Sequence, residues 1–150
     1  MTIALSTVTE SISNISVSGI TIQDIDELKS EYLERDCPIL IPKPDGFVSN
    51  FRLERQSIGV GESCKWDVRY TLTYRFLHSL VGTGRQTFDT YSDMVEKATS
   101  IVDAIILNDA VTGAVDLTLQ DVISFGPVGD PSGILFHGCD IALEVLEFAN

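Results

Sequence analysis

Trp66-Asp67-Val68-Arg69-Tyr70-Thr71-Leu72-Thr73-Tyr74-Arg75-Phe76-Leu77-His78-Ser79-Leu80-Val81 alternates in character along its whole length. Every even position except His78 is apolar or aromatic, while the odd positions are mostly charged or hydroxylated until Leu77 and Val81. A period of two places one face in a core and the other in water, which is a β-strand and not a helix. Such a strand is roughly 54 Å long at ~3.4 Å per residue, against roughly 38 Å for a compact domain with a radius of gyration of ~15 Å. The strand therefore either bends at a bulge or projects as a hairpin whose open edges meet another chain. Projection is the expectation adopted here.

Upstream, Phe47 to Ile58 reads as the partner strand, with Gly59-Val60-Gly61-Glu62-Ser63 as the loop of the hairpin. Lys43-Pro44-Asp45-Gly46 has turn chemistry, and Pro38-Ile39-Leu40-Ile41-Pro42, boxed by prolines, is confined to an edge strand or extended segment. Ile3, Ala4, Val8, Ile12 and Ile15 predict a short N-terminal helix, and Val17, Ile20 and Ile22 a short strand. Asp24 and Glu27 have capping-box spacing and predict a brief helix from Ile25 to about Arg35. Downstream, Gly82-Thr83-Gly84-Arg85 closes the long strand, and Tyr91, Met94, Val95, Ala98, Ile101, Val102, Ile105 and Ile106 mark an amphipathic helix over about 87–107. Two strands follow, Ala114 to Phe125 and Ile134 to Phe148, joined through Gly129-Asp130-Pro131-Ser132-Gly133. The expectation is a single α+β domain over residues 1–150: a four-stranded, mainly antiparallel sheet with a long projecting β-hairpin, one face covered by the 87–107 helix plus the N-terminal helix.

At 150 residues and 44% hydrophobic, the chain suits one globular domain with a core of its own. Its formal charge of -12 is unevenly placed: -5 over residues 1–50, +1 over 51–97 and -8 over 98–150, where no lysine or arginine occurs. Binding nucleic-acid phosphates requires the opposite sign, so tight nucleic-acid binding is disfavoured. The acidity is either an ordinary solvated surface or one that repels a polyanion and sorts partners by charge. No apolar run reaches the length of a membrane span, and the start lacks the pattern of a secretory signal. Three cysteines without C-x-x-C spacing suit reduced thiols. A soluble, cytoplasmic protein is expected.

Few residues offer chemistry. His137 and Cys139 share a strand face and, with Cys64 and His78, contain the donors of a tetrahedral zinc site or of a Cys–His nucleophilic pair, but at no standard spacing. Gly59 to Trp66 falls short of a phosphate-binding loop, because Cys64 stands for the second glycine and Trp66 for the hydroxyl residue. Gly82-Thr83-Gly84 lacks the third glycine of a dinucleotide fingerprint at Thr87. Asp89 and Asp93, and likewise Asp24, Asp26 and Glu27, are explained as acids at helix starts. Trp66, Tyr70, Tyr74 and Phe76 read as the core layer under the helix and not as a base-stacking platform. No catalytic residue, cofactor or metal is expected.

The order of elements resembles the tail completion, or tail terminator, proteins of long-tailed bacteriophages of the siphovirus or myovirus type. The resemblance is carried by the N-terminal helix, Pro38-Ile39-Leu40-Ile41-Pro42, the strand ending Tyr74-Arg75-Phe76-Leu77-His78, Val81-Gly82-Thr83-Gly84-Arg85, the helix around Tyr91, Met94 and Val95, and a closing hairpin with an apolar last strand. It implies a non-enzymatic virion subunit assembled in the host cytoplasm. In that family a hexameric ring caps the head-proximal end of the tail tube, stops tube growth and offers the docking surface for the head connector, with DNA passing through the lumen. The partners implied are further copies of the chain, the tail tube protein and a head-completion protein. A head–tail joining or other minor tail protein is the alternative, followed by a small-ligand module or enzyme. A ring needs two different complementary patches on each copy. Arg69, Arg75 and Arg85 are the expected oligomer or tube contacts, and Asp116, Asp121 and Asp140 the expected acids lining the lumen.

Overall fold

The computed structural model describes residues 2–55, 65–82, 87–107, 111–120 and 122–149, the side chains of 87–89 apart. Its elements are α1 (Leu5–Ser13), β1 (Thr21–Ile22), β2 (Ile39–Pro42), β3 (Val48–Arg55), β4 (Trp66–Leu80), α2 (Thr87–Ile106), β5 (Asp116–Leu119), β6 (Phe125–Gly129) and β7 (Leu135–Ala149). The fold is α+β: a mixed sheet packed against two helices. No helix among the described residues is long and apolar enough to cross a membrane.

The expected hairpin does not project at β4. β4 and β7 pair antiparallel from Trp66↔Ala149 to Leu80↔Phe136, so the long strand finds its partner inside its own chain. Its other edge is taken by β3 along Trp66 to Leu72 and by β2 along Tyr74 to Leu77. The outer edge of β7 is filled in the same way, by β5 along Leu143 to Leu146 and by β6 along Leu135 to Cys139. Among the described residues the sheet therefore has seven strands and not four, because each flank of the central pair is built from two short strands laid end to end and β1 adds parallel to β2 outside them. Lys43-Pro44-Asp45-Gly46 does not reverse the chain. It loops out and returns to the same edge, with Lys43 N–H donating to the Thr73 carbonyl and Thr73 N–H to that of Phe47. The expected strand from Ala114 to Phe125 divides in the same way: it stays on β7 as far as Gln120, whose N–H donates to the Ala142 carbonyl, and pairs with it again from Phe125.

The alternation read in β4 sets the two faces. Val68, Tyr70, Leu72, Tyr74 and Phe76 are buried with Cys139, Ile141, Leu143 and Val145 of β7 beneath Met94, Ala98, Ile101 and Ile105 of α2 and Val8 and Ile12 of α1. α1 draws support from the sheet: the Ala4 N–H donates to Glu147 Oε1 at 2.8 Å, and Tyr70 donates its hydroxyl to Glu147 Oε2 at 2.7 Å. On the opposite face a smaller core gathers Tyr32, Ile39, Ile41, Leu77 and Phe136 at the β2–β6 end. The segment that covers it departs from expectation. In place of a helix from Ile25 to Arg35 there are two single 3-10 turns, Ile25–Glu27 and Glu34–Asp36. The Tyr32 N–H, which a helix would use internally, donates instead to Asp130 Oδ2 at 2.9 Å.

Candidate functional site

One end of the sheet is covered on both faces and the other is not. At the far end from the second core, the strands run in the order β3, β4, β7, β5, and among the described residues no strand pairs with the outer edge of β3 or of β5. β3 is exposed along nearly its whole length. Its Val48, Phe51 and Leu53 are 38%, 46% and 44% exposed although all three are large and apolar. Phe51 stacks on Tyr70 with ring centres 5.9 Å apart, and Leu53 lies opposite the buried Val68, so this stripe continues the core face beyond the reach of the helices. The register shifts between Ser49 and Arg52, where Asn50 takes a φ of 52°. Asparagine tolerates that left-handed conformation, and such a bulge twists an edge strand.

The β5 edge carries a matching exposure. Ile106, Leu107 and Val115 are solvent-exposed beside it, and a cleft of about 200 Å³ opens between the end of α2 and β5. Two separate apolar strips, each along an open backbone edge, are more than scattered surface hydrophobics.

Of the residues expected at interfaces or in the lumen, Arg69, Arg75, Asp116 and Asp140 lie among the described residues. Arg69 and Arg75 both lie on the face of β4 away from α2; Arg75 faces Asp140 of β7, and Arg69 faces Leu146 with Glu144 diagonal to it. Arg75 Nε and Nη2 hold the two carboxylate oxygens of Asp140 at 2.7 and 3.0 Å, and Nη1 donates to the Gly129 carbonyl at 3.0 Å. An arginine assigned to a neighbour and an aspartate assigned to a lumen are thus paired with each other inside one copy. Arg69 approaches Glu144 at 3.5 Å, and Arg52 reaches the same carboxylate at 3.8 Å. Asp116 is exposed at the start of β5, its Oδ1 accepting from the Leu117 N–H. Arg85 and Asp121 lie outside the described residues, as does Cys64.

The histidines and cysteines do not gather. Among the described residues no group of three or more His, Cys, Asp or Glu could hold a metal ion. Cys139 is buried under α2, and burial pushes its thiol, like that of Cys37, up to about 12, so neither is a thiolate at neutral pH. His137 packs its ring edge-on to Tyr91. His78 sits where the β4–β7 register shifts between Leu77 and Ser79, and its Nε2 meets Asp93 Oδ2 at 2.6 Å while Nδ1 lies 3.1 Å from the Ser79 hydroxyl. Hydrogen bonds from His78 and Lys97 hold the Asp93 carboxyl below the usual range. Asp93 is therefore more than a helix-start acid, because it ties α2 to β4.

The apolar stripe of β3 is a feature that sequence reasoning missed. Its signal is present in Phe51-Arg52-Leu53, which alternates as a half-buried strand should, but alternation cannot tell whether the same chain supplies the cover. No protein-family model matches the chain, and no curated protein matches it.

Proposed function

We propose that the protein is a structural virion subunit, several copies of which form a ring, a hexamer by the resemblance, that caps the head-proximal end of a bacteriophage tail tube. The ring ends tube polymerisation and presents the surface on which the head connector docks. It performs no catalysis, needs no cofactor, and lets DNA pass without holding it. The single observation that carries this reading is the unfinished end of the sheet, where two edges that no strand among the described residues pairs, each with an apolar strip, stand on opposite sides of one copy. That is what a head-to-tail ring requires of its subunit. The exposure of β3, the arm of the hairpin that the helices leave bare, supports a contact with another copy. The acidic stretch 98–150 suits a passage for a polyanion, and it serves a head–tail joining protein equally well.

The test is the mass of the purified protein in solution, with negative-stain images, alone and with tail tube subunits. Discrete rings that bind one end of tubes are expected. A protein that stays monomeric at high concentration and ignores tubes overturns the reading, and rings that bind DNA-filled heads but not tubes replace it with the joining protein.

A further inference from the structure

The pairing pattern fixes more than the existence of two open edges. Reading across the sheet, Ser49, Thr71, Glu144 and Thr118 lie in one row, and Arg52, Arg69, Leu146 and Asp116 in another. β3 and β5 are therefore open at the same height. Each neighbour in the series β3, β4, β7, β5 is antiparallel to the next, so β3 and β5 run in opposite directions. When a second copy continues the sheet in the same sense, its β5 meets the β3 of the first copy antiparallel, the more stable arrangement for short edge strands.

We propose that copies of this chain join head to tail as one continued sheet, the outer edge of β3 in one copy adding to β5 of the next. This rests on the reading of the protein as a ring subunit and names the contact that builds the ring. Three features converge on a second copy as the occupant. The charges are complementary: at equal height Arg52, whose side chain is 57% exposed, faces Asp116 of the neighbouring copy on the same side of the sheet. The apolar strips lie at the same end of the sheet too, because Leu53 follows Arg52 along the edge of β3 and the exposed Val115 precedes Asp116 beside the α2–β5 cleft of the neighbour. Both edges also gain backbone partners that no strand among the described residues gives them within one copy. The contact uses two different patches, so it repeats around a ring and does not stop at a dimer.

The test is a charge swap read by sedimentation equilibrium, with circular dichroism as the check that each variant is folded. Arg52→Glu alone and Asp116→Lys alone each weaken self-association, by about tenfold, because a like pair then faces across every junction. The double variant restores it. So does a one-to-one mixture of the two single variants: when they alternate, the introduced glutamate meets the introduced lysine at one junction, and Arg52 meets Asp116 at the next. A second measurement does not depend on charge: oxidation of Ser49→Cys/Thr118→Cys gives a covalent ladder that neither single variant gives. Single charge variants that assemble like the parent protein, with no ladder, overturn this contact and leave the ring standing. Loss at Arg52→Glu without rescue by the mixture overturns it in favour of a symmetric β3–β3 contact. A parent protein that never self-associates removes both the contact and the ring.

Discussion

Asp130 shows how much one side chain decides. Burial raises the cost of its charge, but hydrogen bonds from the Tyr32 N–H, the Ser132 hydroxyl and the N–H groups of Ile134 and Ser132 outweigh that and hold the carboxyl below its usual range. A carboxyl lowered on folding stabilises the fold above the unfolded range, near pH 4, and the contribution disappears as pH falls through the folded value. Asp130→Asn is expected to lower the urea midpoint at pH 7, and the gap between variant and parent should close towards pH 3; a gap that stays constant with pH contradicts this account. The same residue explains why the segment from Ile25 to Arg35 is misread as a helix. The Asp24–Glu27 cap forms as its spacing indicates, with the Asp24 N–H donating to Glu27 Oε1 at 3.1 Å. One turn later a carboxylate from a distant hairpin takes the Tyr32 N–H, and the Tyr32 hydroxyl, hydrogen-bonded to Gln23, accepts from the Lys29 N–H. Local propensity yields here to partners that no window of sequence contains.

At the scale of elements, the β4–β7 ribbon is pinned where it is irregular. Gly138 pairs with Leu77 beside the register shift, and a Cβ there would run into the Phe76 carbonyl oxygen and crowd Val128. Gly138→Ala is expected to destabilise the protein by about 2–3 kcal/mol, whereas Gly126→Ala on the facing strand, with open space around its Cα, should cost far less. Equal midpoints for the two variants in chemical denaturation would show that the ribbon yields freely at this place. Arg75→Glu tests the neighbouring pair. It sets two acids against each other where a two-pronged ion pair stood, with an expected loss of about 2 kcal/mol in the isolated subunit. Unchanged stability with impaired assembly would support the interface role expected of Arg75. β4 and α2 are legible nearly to the residue because long periodic runs report burial directly. What alternation withholds is the pairing: it marks Trp66 to Val81 as a strand but cannot say that Leu135 to Ala149 will lie along all of it. Strand length misleads for that reason, since a long reach creates no need for outside partners once an equally long strand of the same chain runs beside it.

For the whole molecule, the edges that no strand among the described residues pairs lie on two of the short strands and not on the longest ones. The two central strands satisfy each other, and the flanks are completed at one end by the small core around Tyr32 and Phe136. At the other end no strand among the described residues pairs with the outer edges of β3 and β5, which carry apolar strips. The site arginines are half legible: Arg69 and Arg75 do share one face of β4, as their odd positions indicate, but the acids opposite them lie in a part of the chain whose pairing could not be read in advance.

The contrast between the two ends gives each copy a direction. In a ring built by continuing the sheet, every copy would present its capped end toward the same side, so the two rims would differ in chemistry although all subunits are identical. A collar of that kind can be mounted only one way round, and a tube could tell its upper surface from its lower without any additional component to mark them.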